Sequence, residues 1–416
     1  MERFVKYLFH FCRISIGLLF IFSSFTKGLD PWGFAYKLTD YFQVININNL
    51  HYSTLALSFI ASGLEFLLGV MLLFNVLMKY TAWAAAAFMA FFTVLTFLLA
   101  WFNPVSDCGC FGDAIKLTNW ETFFKNVVFS VLVAVIFWKR NKYKVSKNTY
   151  LTYGLITSGI GVFVLFSVAS YRHLPIIDFM PYSIGSNIKE KMTVPPGAPV
   201  DKYETMLTYQ NKKTGEKKDF DLKNYPWQDS LTWKWVETKS VLVEKGYTPP
   251  IHDFVISDHE GNDITQQILN DSGYVFLFIS YNLKLANAAA LKNADSLYLY
   301  YSGKPDTRFY AVTASTVGVQ SQIKDSLGLN MAFNTGDETM LKTVIRSNPG
   351  LVLLKNGTVL GKWHYNDIIC QDFFQHPDLL AYSVHKLNRG NEVMFTALIF
   401  AFLSILILFL YYYNKK

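Results

Sequence analysis

Six long apolar runs constrain the fold of this chain more than any other feature. An α-helix needs roughly 20 residues to cross a bilayer, and it satisfies its own backbone groups while doing so. Hydrophobic residues make up 51% of the 416 residues, a composition typical of a membrane protein. The runs therefore predict six transmembrane helices, at about 8–26, 53–78, 80–102, 120–138, 150–170 and 393–413.

Positive charges indicate how these helices are oriented. The segment 139–147 ("KRNKYKVSK") carries five Lys or Arg residues, and Lys415 and Lys416 follow the last run. Because cytoplasmic loops carry the positive excess, both termini are predicted to be cytoplasmic and residues 171–392 extracytoplasmic. The first run has no clear cleavage site and is interpreted as a retained helix. The net charge of +7 partly reflects this topology, so membrane lipid is an expected partner and nucleic acid is not.

Glu65 falls near the middle of the second predicted helix, in "SGLEFLLGV". An intramembrane carboxylate is costly, which makes it a functional-site hypothesis with a partner to be named. Lys27 and Arg13 are the candidate partners. A structural ion pair or a protonated carboxyl that fixes helix order is the alternative to a chemical role.

The region between the fifth and sixth runs has the composition of a soluble domain. Residues 171–248 are predicted to be a linker followed by strands. From 249 to about 388 the order is strand, helix, strand, helix, hairpin, helix, the order of a thioredoxin core. The hairpin is predicted at a Lys-Asn-Gly turn between "GLVLLKNG" and "TVLGKWHY".

Within this order, "SNPGLVLLKNGTVLGKW" resembles the thioredoxin-family segment in which a proline precedes a hairpin strand. The resemblance implies that Pro349 occupies the family's cis-proline position. The family's Cys-x-x-Cys would follow the strand "YVFLFIS", where this sequence has "SYNLKLA" (280–286) without cysteine. The predicted domain therefore lacks the usual dithiol.

The membrane half is similar to the MauE/DoxX family of bacterial integral membrane proteins. The matching motifs are "RISIGLLFIFSSFTKGLDP", "SGLEFLLGVMLLF" and "DCGCFGD". MauE relatives imply maturation of a disulfide-rich periplasmic methylamine dehydrogenase, and DoxX relatives imply quinone-coupled sulfur oxidation. What transfers is a bundle in a bacterial inner membrane that handles thiols at its outer face, with no amine or sulfur substrate specified.

The predicted fold class is thus an α-helical membrane bundle with an α/β thioredoxin-like extracytoplasmic domain and a small β segment. The bundle comprises a four-helix MauE/DoxX-like part plus two further transmembrane helices. The predicted domains are a four-helix part, the fifth helix with its flank, a β segment, the thioredoxin-like domain and the last helix, at 1–140, 141–170, 171–248, 249–390 and 391–416.

Cys108 and Cys110, in the predicted outer loop "WFNPVSDCGCFGDAIKLTNW", are the candidate reacting residues. As a redox pair they would exchange with a disulfide, and a strained bridge between them would be more oxidising than a structural one. A metal site would suit two thiolates, but no nearby His or Cys completes it. A structural bridge from either cysteine to Cys370 is the third interpretation. Lys116 would lower the pKa of a thiol in this loop, whereas Asp107 and Asp113 would oppose that shift.

Cys370 and His364 follow the predicted hairpin, so they are expected beside the vacant thioredoxin site, next to Pro349. These three residues, together with Glu65 in the second predicted helix, are the candidate auxiliary residues. The imidazole would favour a Cys370 thiolate. A cysteine of no functional consequence is the alternative.

Together these features predict a membrane thiol-disulfide component that acts in maturation of, or electron transfer to, a periplasmic partner carrying thiols or disulfides. The loop's position would bring it near a membrane quinone, although the sequence specifies no cofactor or acceptor. The alternative is a non-catalytic, membrane-anchored binding or assembly factor that uses a degenerate thioredoxin-like domain.

Overall fold

The computed structural model describes residues 2–47, 51–105, 107–142, 149–199, 202–222, 224–244, 246–376 and 378–386. The sixth apolar run, 393–413, lies outside these residues. The chain divides into two compact units, of which the smaller is Asn187–Phe254 and the larger contains the residues before and after it. The helix bundle and the thioredoxin-like domain both belong to the larger unit.

The first part of the larger unit is a helical bundle. Five of its helices are long and apolar enough to cross a membrane, which confirms the first five predicted spans. Its elements are α1 (Glu2–Leu29), α2 (Pro31–Val44), α3 (His51–Leu73), α4 (Met78–Phe102), β1 (Cys110–Asp113), α5 (Asn119–Lys139) and α6 (Thr149–Arg172).

Close helix packing in the bundle depends on small residues. A Cβ built on Gly17 of α1 would lie 3.0 Å from the backbone nitrogen of Leu73, and one on Gly69 of α3 would lie 2.9 Å from the carbonyl oxygen of Gly17. Neither position has room for a larger side chain, as is typical of membrane helix interfaces. Cys12 packs in the apolar core beside this contact and is fully buried, as expected of a small core residue.

Helix α2 was not among the predicted elements. It is only 14 residues long, too short for the spanning pattern that guided the prediction. Asp30 is its N-cap and accepts a hydrogen bond from the Gly33 N–H at 2.8 Å, and Pro31 occupies its first turn. An Asp followed directly by Pro is a recognised helix-start signal, and this signal could have located α2 in the sequence.

The smaller unit contains the short helix α7 (Ile188–Met192) and a three-stranded antiparallel sheet in the order β3-β2-β4. Its strands are β2 (Lys202–Asn211), β3 (Lys217–Asp221) and β4 (Trp233–Glu244). The β2–β3 hairpin turns at 212–216, which has the sequence Lys-Lys-Thr-Gly-Glu.

The thioredoxin-like domain is built on a six-stranded sheet in the order β10-β9-β6-β7-β8-β5. Strands β6, β7 and β8 are mutually parallel. Strand β9 runs antiparallel to β6, and β10 runs antiparallel to β9. The elements are β5 (Ile256–Ser257), α8 (Thr265–Leu269), β6 (Tyr274–Ser280), α9 (Ala288–Tyr301), β7 (Thr307–Thr313), α10 (Val317–Leu327), β8 (Phe333–Gly336), α11 (Glu338–Val344), β9 (Gly350–Lys355), β10 (Thr358–His364) and α12 (Cys370–Gln375).

Several details of this domain match the sequence pattern. Asn356 and Gly357 both have positive φ, as a two-residue hairpin between β9 and β10 requires. The Asn348–Pro349 peptide is cis. The last predicted helix, at about 376–388, corresponds to a helical segment at 379–386, and the short helix α12 precedes it. The predicted fold class, a membrane bundle joined to a thioredoxin-like domain and a small β segment, is confirmed.

Candidate functional site: a paired-thiol loop under the thioredoxin-like domain

The Cys-Gly-Cys segment lies in the loop between α4 and α5, at the end of the bundle that also carries α2. The Sγ atoms of Cys108 and Cys110 are 2.7 Å apart and share a hydrogen bond. A disulfide requires about 2.05 Å, so only a small movement separates the two sulfurs from bonding distance once an oxidant accepts two electrons and the thiol protons leave. Asn119 holds the ends of the loop by donating to the Asn103 side chain and the Val105 carbonyl, both at 2.8 Å.

Helices α1 and α2 fix the backbone of this segment. Ser23 donates to the carbonyl of Cys110 at 2.7 Å, and Tyr41 donates to that of Cys108. Gly109 has φ +60°, and a Cβ there would lie 3.1 Å from Cγ of Lys37. Only glycine adopts this conformation freely, so Gly109 is what allows the two side chains to face each other.

The two thiols are made chemically unequal by their surroundings. The hydrogen bond shared with Cys110 lowers the pKa of Cys108 to about 6, against the effect of burial, and the charge of Lys125 lowers it further. The pKa of Cys110 is raised well above the ordinary value by the hydrogen bond that Cys110 shares with Cys108 and by burial. The neighbouring cation is therefore Lys125 on α5 and not the expected Lys116. Because the thiolate is the nucleophilic form of cysteine, Cys108 is the more nucleophilic of the two side chains.

This inequality predicts separate pH profiles for alkylation of the two cysteines. Thiolate is the reactive form, so the rate at Cys108 should rise through about pH 6 and level off near pH 7. The rate at Cys110 should still be rising above pH 9, since its pKa lies above the ordinary value of 9.0. Site-resolved iodoacetamide labelling followed by mass spectrometry measures both, and identical profiles for the two sites would contradict the assignment.

The other two interpretations of the pair are a structural bridge to Cys370 and a metal site. All four cysteines are free, and Cys370 is hydrogen-bonded to the Asn293 carbonyl on α9 at 3.2 Å. Among the described residues, no group of three or more His, Cys, Asp and Glu side chains is placed to hold a metal ion.

The vacant end of the thioredoxin-like domain faces the same end of the bundle. Ser280 donates to the side-chain oxygen of Asn348 at 2.8 Å, next to the cis peptide, and Asn348 donates to the Asn282 carbonyl at 2.8 Å. The hydroxyls of Tyr281 and of Tyr36 on α2 are 3.4 Å apart. The segment that replaces the family's dithiol therefore packs against the bundle.

Arg346, three residues before the cis-proline, ties this domain to the thiol loop. Its guanidinium contacts the carboxylates of Asp30, the N-cap of α2, at 2.8 Å and of Asp113, at the end of β1, at 3.2 Å. The side chain is 11% exposed. Burial alone would lower the pKa of Arg346, but the two carboxylates raise it above its ordinary value, so the guanidinium stays charged. This contact was not predicted from the sequence.

His364 and Cys370 are placed differently from each other. His364 is buried at the end of β10, where its Nδ1 accepts the Asn366 N–H, and burial lowers its pKa to about 4. Cys370 starts α12, and burial raises its pKa. Burial thus opposes both an imidazolium at His364 and a thiolate at Cys370. Of the two candidate partners of Glu65, the structure selects Lys27, at 2.8 Å.

Comparison with known proteins covers parts of this chain. The model of the family "Methylamine utilisation protein MauE" matches residues 5–139, and "Domain of unknown function (DUF8463)" matches residues 203–245. Protein TlpB of Flavobacterium psychrophilum is 29% identical over 169 residues, which cover 38% of this chain and 45% of that protein. The chain therefore spans less than half the length of this curated relative.

Two solved structures resemble parts of the chain. A Bacteroides thetaiotaomicron protein provisionally described as a disulfide isomerase is 13% identical, with a TM-score of 0.26, and covers 32% of this chain and 89% of that one. The bacterioferritin comigratory protein of Xanthomonas campestris is 12% identical, with a TM-score of 0.23, over 30% of this chain and 91% of that one.

The match over residues 5–139 includes α1, α2, α3, α4 and α5 and the whole Cys-Gly-Cys loop. It confirms the resemblance to the MauE family that the sequence motifs indicated. Together with five helices able to span a bilayer, it supports a multi-pass membrane protein whose residues 5–139 match the MauE family model.

Proposed function

We propose that this chain is a membrane thiol-disulfide component in which Cys108 and Cys110 are the reacting pair. The observation that carries the proposal is the 2.7 Å approach of two free thiols of unequal acidity. The charge pattern supports a bacterial inner membrane with both termini in the cytoplasm, which puts this loop at the outer face. Disulfide chemistry persists in that compartment.

The exchange would proceed in two steps with a disulfide of a periplasmic protein. The Cys108 thiolate attacks one sulfur of the partner, forming a mixed disulfide and releasing the first partner thiolate. Cys110 then loses its proton and attacks Sγ of Cys108, so the mixed disulfide breaks and the second partner thiolate leaves. The loop pair is oxidised by two electrons and the partner is reduced. The partner thiolates take up one proton from Cys110 and one from solvent. The reverse sequence oxidises a partner dithiol.

In this proposal the thioredoxin-like domain positions the loop and does not itself exchange thiols. It has no cysteine at 280–286, and its contacts through Arg346 and Tyr281 engage the residues that frame the loop. Cys108 is only 7% exposed, so a protein partner reaches it after the loop or α2 moves. Undocking of the thioredoxin-like domain, which contacts α2 and the end of β1, would permit that movement.

Thiol trapping separates this function from a purely structural anchor. Membranes are treated with oxidant or reductant, quenched with acid and alkylated, and the state of the pair is read by mass spectrometry. We expect the loop pair to change from two alkylated thiols to one disulfide. An anchor or assembly factor would instead keep its cellular function when Cys108 and Cys110 are both replaced by alanine, and that result would overturn the proposal.

A further inference from the structure

A small cavity inside the bundle adjoins the thiol loop. Its volume is ≈ 30 Å³, enough for one water molecule, which is stable where it finds two to four polar partners. Cys110 lines this cavity together with Lys27, Glu65, Lys125 and Asn126. The resolving thiol and a buried carboxylate therefore share one polar space.

The ion pair in this cavity carries a large desolvation cost if its role is only to hold two helices together. Nζ of Lys27 lies 2.8 Å from the Glu65 carboxylate, and the two side chains are 6% and 7% exposed. The desolvation of a buried pair often exceeds its mutual attraction, so apolar residues of similar size would hold α1 and α3 together at least as well. The exchange as described above gives this pair no role.

The charged groups around the cavity leave a single proton acceptor. Helix α1 contributes Lys27, α3 contributes Glu65 and α5 contributes Lys125, whereas α4 contributes only apolar side chains. Among the residues described as lining the cavity, Glu65 is thus the one carboxylate, and two cations stand ready to stabilise a thiolate at Cys110.

We propose that Glu65 accepts the Cys110 proton during the second step of exchange. This inference rests on the proposed function of the cysteine pair. The proton leaves Sγ of Cys110 and crosses the cavity to the Glu65 carboxylate, while the new thiolate attacks Sγ of Cys108 and displaces the second partner thiolate. Glu65 then returns the proton to that leaving thiolate or to solvent. Lys27 fixes the orientation of the carboxylate through its 2.8 Å contact.

The aromatic disulfide 5,5′-dithiobis(2-nitrobenzoate) tests the two steps separately in the full-length protein in nanodiscs. Attack by Cys108 releases one equivalent of coloured thiolate, and resolution by Cys110 releases the second. We expect Glu65→Gln to leave the first release unchanged at pH 7 and to slow the second about 100-fold, the range typical of a lost general base. Alkaline pH should restore the second release, because hydroxide then deprotonates Cys110.

Glu2→Gln is the matched control, because Glu2 also pairs with a lysine, at 3.0 Å, but on an exposed surface. It should release both equivalents at the wild-type rates. Equal second rates in Glu65→Gln and wild type would overturn the proton transfer and leave the proposed function standing, whereas no release from the wild-type loop pair would overturn the function itself. If Glu65→Gln does not accumulate, the wild-type protein is measured in D₂O. A second release slower than in H₂O supports the transfer, and equal rates contradict it.

Discussion

Cys108→Ser is expected to abolish exchange completely in the assay with the aromatic disulfide, because it removes the one acidic thiol of the loop. The pKa of Cys108 is about 6, so at pH 7 most of this side chain is the attacking thiolate, whereas a serine hydroxyl stays protonated. Cys110→Ser should release one equivalent and stop at the mixed disulfide, which mass spectrometry would detect on Cys108. Each substitution replaces one sulfur atom by oxygen, and the two positions are separated by a single glycine, yet the substitutions should block different steps.

The remaining cysteines supply the controls. Cys12→Ala changes a thiol in the apolar bundle core, and Cys370→Ser changes one hydrogen-bonded to Asn293 on α9. Both variants should still release two equivalents. Loss of the second equivalent in Cys370→Ser would show that Cys370, and not Cys110, resolves the mixed disulfide.

Arg346→Met is expected to weaken docking of the thioredoxin-like domain on the bundle by about 3 kcal/mol. Removing one member of a buried charge network leaves its partners uncompensated, and here two carboxylates, Asp30 and Asp113, lose the same guanidinium. Such a loss corresponds to roughly a 100-fold larger undocked population, given about 1.4 kcal/mol per factor of ten. Hydrogen exchange measured on peptides covering 30–44 and 107–116 should accelerate accordingly.

Arg308→Met is the matched control for this experiment. Arg308 is in the same domain, half exposed, and 4.0 Å from Asp271, so its removal should change neither peptide. If Arg346→Met accelerates exchange only around 342–350 and leaves α2 and the thiol loop protected, Arg346 does not couple the domain to the loop.

Local pattern determined the elements that could be predicted. The apolar run "YVFLFIS" is β6, Tyr274–Ser280, because it is short, rich in aromatic and β-branched residues, and buried on both faces. The turn at Asn356 and Gly357 could be predicted because a tight hairpin requires positive φ at both positions, and Asn and Gly are the residues that adopt it most readily. Strand β8, Phe333–Gly336, was missed because four residues are too few to show a period.

The site was predicted only in its local part. Cys108 and Cys110 are two residues apart, and their pairing needs nothing beyond a glycine between them. Arg346 meets Asp30 across 316 positions of sequence and Asp113 across 233, and no local pattern carries such a contact. Lys116 was chosen as the neighbouring cation because it is closer to the cysteines in the sequence. Lys125 lies on the helix after the loop, and only the folded bundle brings it to the thiols.

The most direct test of the proposed pair is a redox titration of the intact membrane protein. Membranes are equilibrated in glutathione buffers of increasing potential, quenched with acid, alkylated and digested, and the peptide that contains both cysteines is weighed. We expect an internal Cys108–Cys110 disulfide that forms with a midpoint more positive than about −300 mV, because a bridge across one residue is strained and readily reduced. A loop pair that remains two free thiols across this range, or that bridges to Cys370, would contradict the assignment of Cys108 and Cys110 as a reacting pair.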